Sequence, residues 1–183
     1  MSAQHFDTAN EVLTDLLEIA ERQFGLRDGA WSVGAVQIHS NGPYLNPDRG
    51  RMVATVYVNP YVNNHLPNLF AQIAHETIHL LNPGPLTVNC LEEGIACIFQ
   101  DQIVLERFGN AELKHQLSYR DSGYKNAKSL VERLHAFDDN AFMLIRSRVG
   151  AFHRATPSDL IDLFADLTEE HATQLCTLCR PRR

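Results

Sequence analysis

The stretch from Pro67 to Leu81 reads PNLFAQIAHETIHLL, and Asn82-Pro83-Gly84-Pro85 follows it. Two prolines and a glycine cannot continue a helix, so whatever helix this stretch forms ends at Leu81. Within it stands His75-Glu76-Thr77-Ile78-His79, an HExxH pattern. On a helix, residues four apart lie one turn from each other on one face, so His75 and His79 are spaced to grip one metal ion. Each helical residue rotates by about 100°, which sets Glu76 beside His75 without making it a ligand. At that rotation Asn68, Gln72, His75, Glu76 and His79 share a polar stripe. Phe70, Ile73, Ala74, Ile78, Leu80 and Leu81 cover most of the remaining circumference, so the helix is expected to be buried. Two histidines and a glutamate are costly to bury unless they are paired or bound to metal.

A second long helical pattern runs from about Val88 to Phe108, with Gly109 as its stop. It carries Leu91-Glu92-Glu93-Gly94-Ile95-Ala96, two adjacent carboxylates inside an apolar segment. Catalytic zinc commonly takes three protein ligands and leaves a fourth position for water, so one of these glutamates is a candidate third ligand. Cys90 and Cys97 lie three before and four after Glu93 and read as small core residues.

HExxH followed by a helix bearing Glu-Gly-x-Ala resembles the gluzincin metallopeptidases, over about residues 67–101. In that family the glutamate before the glycine is the third zinc ligand, which implies Glu93 here, with His75 and His79 as the other two and Glu76 as general base. Cys97 stands where thermolysin-like members carry an aspartate that orients a zinc histidine, and Asp101 or Asn89 is expected to take over that role. The resemblance also implies an edge strand ahead of the active-site helix, matched by residues 52–58, on which an extended peptide would pair. An oxyanion donor is implied from the following helical region. Tyr119, Tyr124, His115, Arg120 and His135 are candidates, with Tyr124 favoured.

Working outward, residues 7–24 read as a first helix closed by Gly25. Trp31–His39 (WSVGAVQIH) reads as a strand, Ser40–Arg51 as a loop rich in Asn, Gly and Pro, and Met52–Val58 (MVATVYV) as a second strand. Beyond Gly109 the pattern is helical, at about 110–118, 125–136, 139–150, 157–165 and 168–178. The expected fold is therefore α+β, and the resemblance to gluzincins implies that it is zincin-like. It has a small N-terminal mixed or antiparallel sheet, an active-site helix and a predominantly helical C-terminal half.

At 183 residues and 20.6 kDa the chain is the size of one domain, and 1–183 is read as a single zincin-like unit. Apolar residues make up 44% and charged residues 21%, which argues for a packed core over global disorder. A net charge of -6 and a pI near 5.8 argue against a general nucleic-acid binder, which must neutralise phosphates. No apolar run is long enough for a membrane span. Asp7, Glu11, Asp15, Glu18 and Glu21 spoil any secretory leader, so a cytoplasmic protein is expected. Four cysteines, including one Cys176-x-x-Cys179, fit reduced thiols better than a disulfide framework or a structural zinc site. His39, His65, His153 and His171 read as surface or hydrogen-bonded residues.

These features point to a zinc-dependent peptidase acting on a peptide or protein, with Zn2+ as cofactor. Two alternatives stand beside it. One is a catalytically degenerate zincin serving as a metal-binding interaction or regulatory module. The other is a zinc hydrolase of a non-peptide bond.

Overall fold

Valine-rich alternation at residues 53–58 makes a strand whose side chains are alternately half-buried and buried, and the rest of the sheet assembles on it. The computed structural model describes residues 3–84, 87–109, 122–135, 138 and 140–179 (backbone only at 3–7, 63, 64 and 135). Among the described residues there are seven α-helices and four short strands, a mixed α+β architecture. They fall into two compact units, one drawn from Met1–Arg22, Leu26–Leu86 and Phe99–Ser118, the other from Gln23–Gly25, Thr87–Ile98 and Tyr119–Arg183.

In the first unit, helix α1 (Ala3–Phe24) contributes Val12, Leu13, Leu16, Leu17 and Ala20 to the core at helical spacing. The sheet comprises β1 (Ser32–Val33), β2 (Gln37–Ile38), β3 (Tyr44–Asp48) and β4 (Val53–Val58). β1 and β2 run parallel to β4 along one of its edges, and β3 runs antiparallel along the other, from Tyr44 opposite Tyr57 to Asp48 opposite Val53. The sheet is thus mixed, and three sequence expectations change. The 31–39 strand is broken in two around Gly34, where any Cβ would run into the Thr55 hydroxyl. The 40–51 segment contains a strand, β3. And β4 is the middle strand, paired on both sides, so it cannot be the edge strand expected of residues 52–58.

Helix α2 (Leu66–Leu80) packs on β3 and β4. Pro67 sits in its first turn, where its missing N–H costs nothing. The His65 ring Nδ1 caps it by accepting from the Asn68 amide at 3.1 Å. Leu69, Ile73, Ile78 and Leu80 bury completely or nearly so, worth roughly 1.5–3 kcal/mol each. Gln72 accepts from the Asn59 amide at 2.8 Å, which ties α2 to the end of β4, and donates to Asn68 at 3.1 Å. The upper part of the polar stripe is therefore structural.

The second unit is helical. It takes in the opening turns of α3 (Cys90–Phe108), then α4 (Ser122–His135), α5 (Ala141–Val149), α6 (Pro157–Leu163) and α7 (Glu169–Cys176). The starts read from Thr156-Pro157 and Thr168-Glu169 are real caps. Thr156 and Asp159 form a reciprocal capping box, and Thr168 accepts from the His171 amide. Phe24, Phe142 and Phe152 form an aromatic cluster with centroids 6.2 and 6.1 Å from Phe24. The buried Arg146 donates to the carbonyls of Phe24 and Gly25, satisfying the chain where α1 ends. The helix expected at 110–118 lies outside the described residues.

Candidate metal centre

Helix α2 supplies two imidazoles and a carboxylate from a single turn. His75 and Glu76 are buried, at 7% and 4% exposure, and His79 is half-buried. The His75 and His79 ring centroids are 5.3 Å apart, with planes inclined at 69°. In the same helix Thr77 turns its hydroxyl back to the Ile73 carbonyl at 2.7 Å, so it competes for none of the site groups.

Glu93 comes from the first turn of α3 and is 6% exposed. One nitrogen of each histidine and one oxygen of Glu93 lie within 4.8 Å of one another. A tetrahedral zinc holds such donors about 3.5 Å apart, inside that span. Two imidazoles and one carboxylate are also the donor types that a divalent transition metal takes. His75, His79 and Glu93 therefore form a group able to bind a metal ion, and among the described residues they are the one such group.

The neighbouring carboxylate has a different job. Asn89 Oδ1 accepts from the Glu92 amide at 3.0 Å, the geometry of a helix cap. Asn89 Nδ2 donates to the Phe152 carbonyl at 3.1 Å. Glu92 Oε2 accepts from the His153 amide and meets its ring Nδ1, both at 3.0 Å. Glu92 is thus engaged with His153, and Asn89 with capping. Asp101, the other residue expected to orient a zinc histidine, is buried on α3.

Gly94 has a packing reason. A Cβ there would collide with the Ala127 carbonyl and the Val131 side chain of α4, so only glycine allows this approach. Cys90 and Cys97 are buried, as the sequence suggests. Cys179 pairs with Cys90, not with Cys176. Its thiol donates to Cys90, which holds Cys90 below the ordinary thiol value and, with burial, pushes Cys179 above it. Burial pushes Cys176 up to about 11, the opposite of a reactive thiol.

Of the oxyanion candidates, Tyr124 lies half-buried in the first turn of α4. Tyr119, His115, Arg120 and the His135 side chain lie outside the described residues. The other histidines whose side chains are described are hydrogen-bonded. His39 accepts from the Asn41 amide, His65 caps α2, His153 meets Glu92, and His171 Nε2 donates to the Leu130 carbonyl at 2.9 Å. The Glu92–His153 pair escapes a reading of the sequence because 61 positions separate the partners, and only the Glu-Glu doublet hints that one carboxylate has a structural use. Among the described residues no helix is long and apolar enough to cross a membrane. The chain matches no family model, no curated protein and no solved structure.

Proposed function

We propose that this chain is a zinc-dependent peptidase of the gluzincin kind. The observation that carries the proposal is the convergence of His75, His79 and Glu93, with Glu76 buried one residue along from His75. The donor set is two nitrogens and one oxygen, which would leave a bound zinc ion a fourth position for water, the composition of catalytic rather than structural zinc. When bound, the zinc ion supplies a Lewis acid that polarises the scissile carbonyl and acidifies water. Glu76 takes the proton from the attacking water and delivers it to the leaving amine. Tyr124 is assigned the donor to the developing oxyanion. The extended substrate pairs along β3, whose outer side has no strand partner among the described residues and which packs over α2.

The test has two parts. Metal analysis of the purified full chain is expected to find about one zinc per chain. A broad peptide library is expected to be cut by the wild type and spared by Glu76→Gln, with zinc retained in both. A chain that takes up no zinc even after loading overturns the proposal. A chain that holds zinc yet cuts no peptide overturns the peptidase part and leaves a metal-binding module or a hydrolase of another bond.

A further inference from the structure

The opening of α3 is clamped from two directions. Asn89, 3% exposed, takes the Glu92 amide on one side and gives its own amide to Phe152 on the other. Glu92, also 3% exposed, receives two N–H groups of a single residue, the main chain and the ring of His153, on one oxygen. Across from these, the Cys90 amide donates to the Thr177 carbonyl and the Cys179 amide to the Val88 carbonyl, each at 2.9 Å. A carboxylate oxygen is an acceptor only, so Nδ1 of His153 carries the hydrogen and the ring is fixed in one tautomer.

An apolar side chain at position 92 would bury as well and would not need a partner. What the carboxylate adds is direction. Two N–H bonds to one oxygen oppose rotation of α3 about its own axis. That rotation matters for Glu93, whose side chain is set about 100° around the helix from Glu92. At a side-chain radius of about 6 Å, turning the helix by about 20° carries a carboxylate roughly 2 Å. A metal ligand must hold its place to within about 0.5 Å.

We propose that Glu92 and His153, with Asn89, are positioning residues for the Glu93 carboxylate. They set the rotation of the first turn of α3 and thereby where the third metal ligand stands. This inference rests on the metal-centre reading above. It gives the Glu-Glu doublet a division of labour, one carboxylate for the metal and its neighbour for the angle at which it is presented.

The test uses the full chain with zinc or cobalt(II) alone. Zinc affinity is measured by competition with a chromophoric chelator, and cobalt(II) coordination by its visible spectrum. His153→Phe keeps the ring volume and the main-chain bond and deletes Nδ1. It is expected to weaken zinc binding by about 10–100-fold and to shift the cobalt spectrum. His153→Asn, which restores an N–H near the same place, is expected to recover most of the affinity. Thr156→Ala breaks the α6 cap in the same unit and is expected to cost stability while leaving both metal readouts unchanged. Glu92→Leu is the second probe of the same contact, read in the same way. Wild-type zinc affinity and an unshifted cobalt spectrum in His153→Phe and Glu92→Leu overturn this inference alone. A wild type that binds neither metal overturns the metal centre beneath it as well.

Discussion

His75 and His79 face each other across one helical turn, ring centroids 5.3 Å apart, and Glu93 brings an oxygen to the same place. A site that exists only in the folded chain links metal binding to folding. Zinc at about a hundred times its dissociation constant is expected to stabilise the protein by about 2.7 kcal/mol. Glu93→Ala and His79→Ala are expected to lose most of that gain. Urea unfolding with and without zinc measures it, and equal shifts in wild type and variants would contradict the ligand assignment.

At Gly94 the backbone of α3 lies close against α4. Gly94→Ala adds one methyl against the Ala127 carbonyl and Val131, and neither a helix backbone nor a β-branched side chain yields easily. The expected loss is about 1–3 kcal/mol, against the gain that alanine usually brings inside a helix. The midpoint of chemical denaturation gives the sign directly. An unchanged or raised midpoint would mean that the two helices separate freely.

His171 is buried, and burial lowers its pKa below the ordinary 6.5, with the charge of Arg133 acting the same way and the bond to the Leu130 carbonyl acting against both. The unfolded chain therefore binds a proton near pH 6.5 that the folded chain refuses. The stabilisation from keeping His171 neutral is complete above that value and is lost as pH falls through the folded pKa. Wild type is expected to lose more stability than His171→Gln on going from about pH 7.5 to about pH 5. Parallel urea titrations of the two proteins make the comparison, and identical pH slopes would remove His171 from the account.

Arg146 is 6% exposed and donates to two carbonyls at the end of α1. Arg146→Met keeps much of the stem and removes the donors. It takes a charged donor away from the buried Phe24 carbonyl and the part-buried Gly25 carbonyl, at an expected cost of about 3 kcal/mol. Thermal unfolding of the variant checks it, and a change within about 0.5 kcal/mol would show that water replaces the guanidinium.

The helices were legible because their signals are local. HExxH fixes the face of α2 by spacing alone, the Asn-Pro-Gly-Pro run fixes its end, and Thr156 and Thr168 announce α6 and α7 through their own side chains. The sheet was legible only in part. Tyr44–Asp48 carries Asn46, Pro47 and Asp48, poor strand formers that read as loop, yet β4 offers it an edge and tertiary pairing overrides propensity. Gly34 interrupts a stretch that alternates well because the Thr55 side chain occupies the space a Cβ would need. In the metal group, the two histidines follow from one motif, whereas Glu93 needed the family resemblance to separate it from Glu92. The partner of Glu92 had no local signature at all, since His153 arrives from a turn far along the chain.

Arg146 bears on how the chain is made. A ribosome releases Phe24 and Gly25 more than a hundred residues before the guanidinium that serves their carbonyls exists. Until then those two carbonyls lack the guanidinium, and the helix end they belong to is open to fraying. Synthesis of Ala141–Val149 closes the gap, so the end of α1 is completed only after α5 has been made.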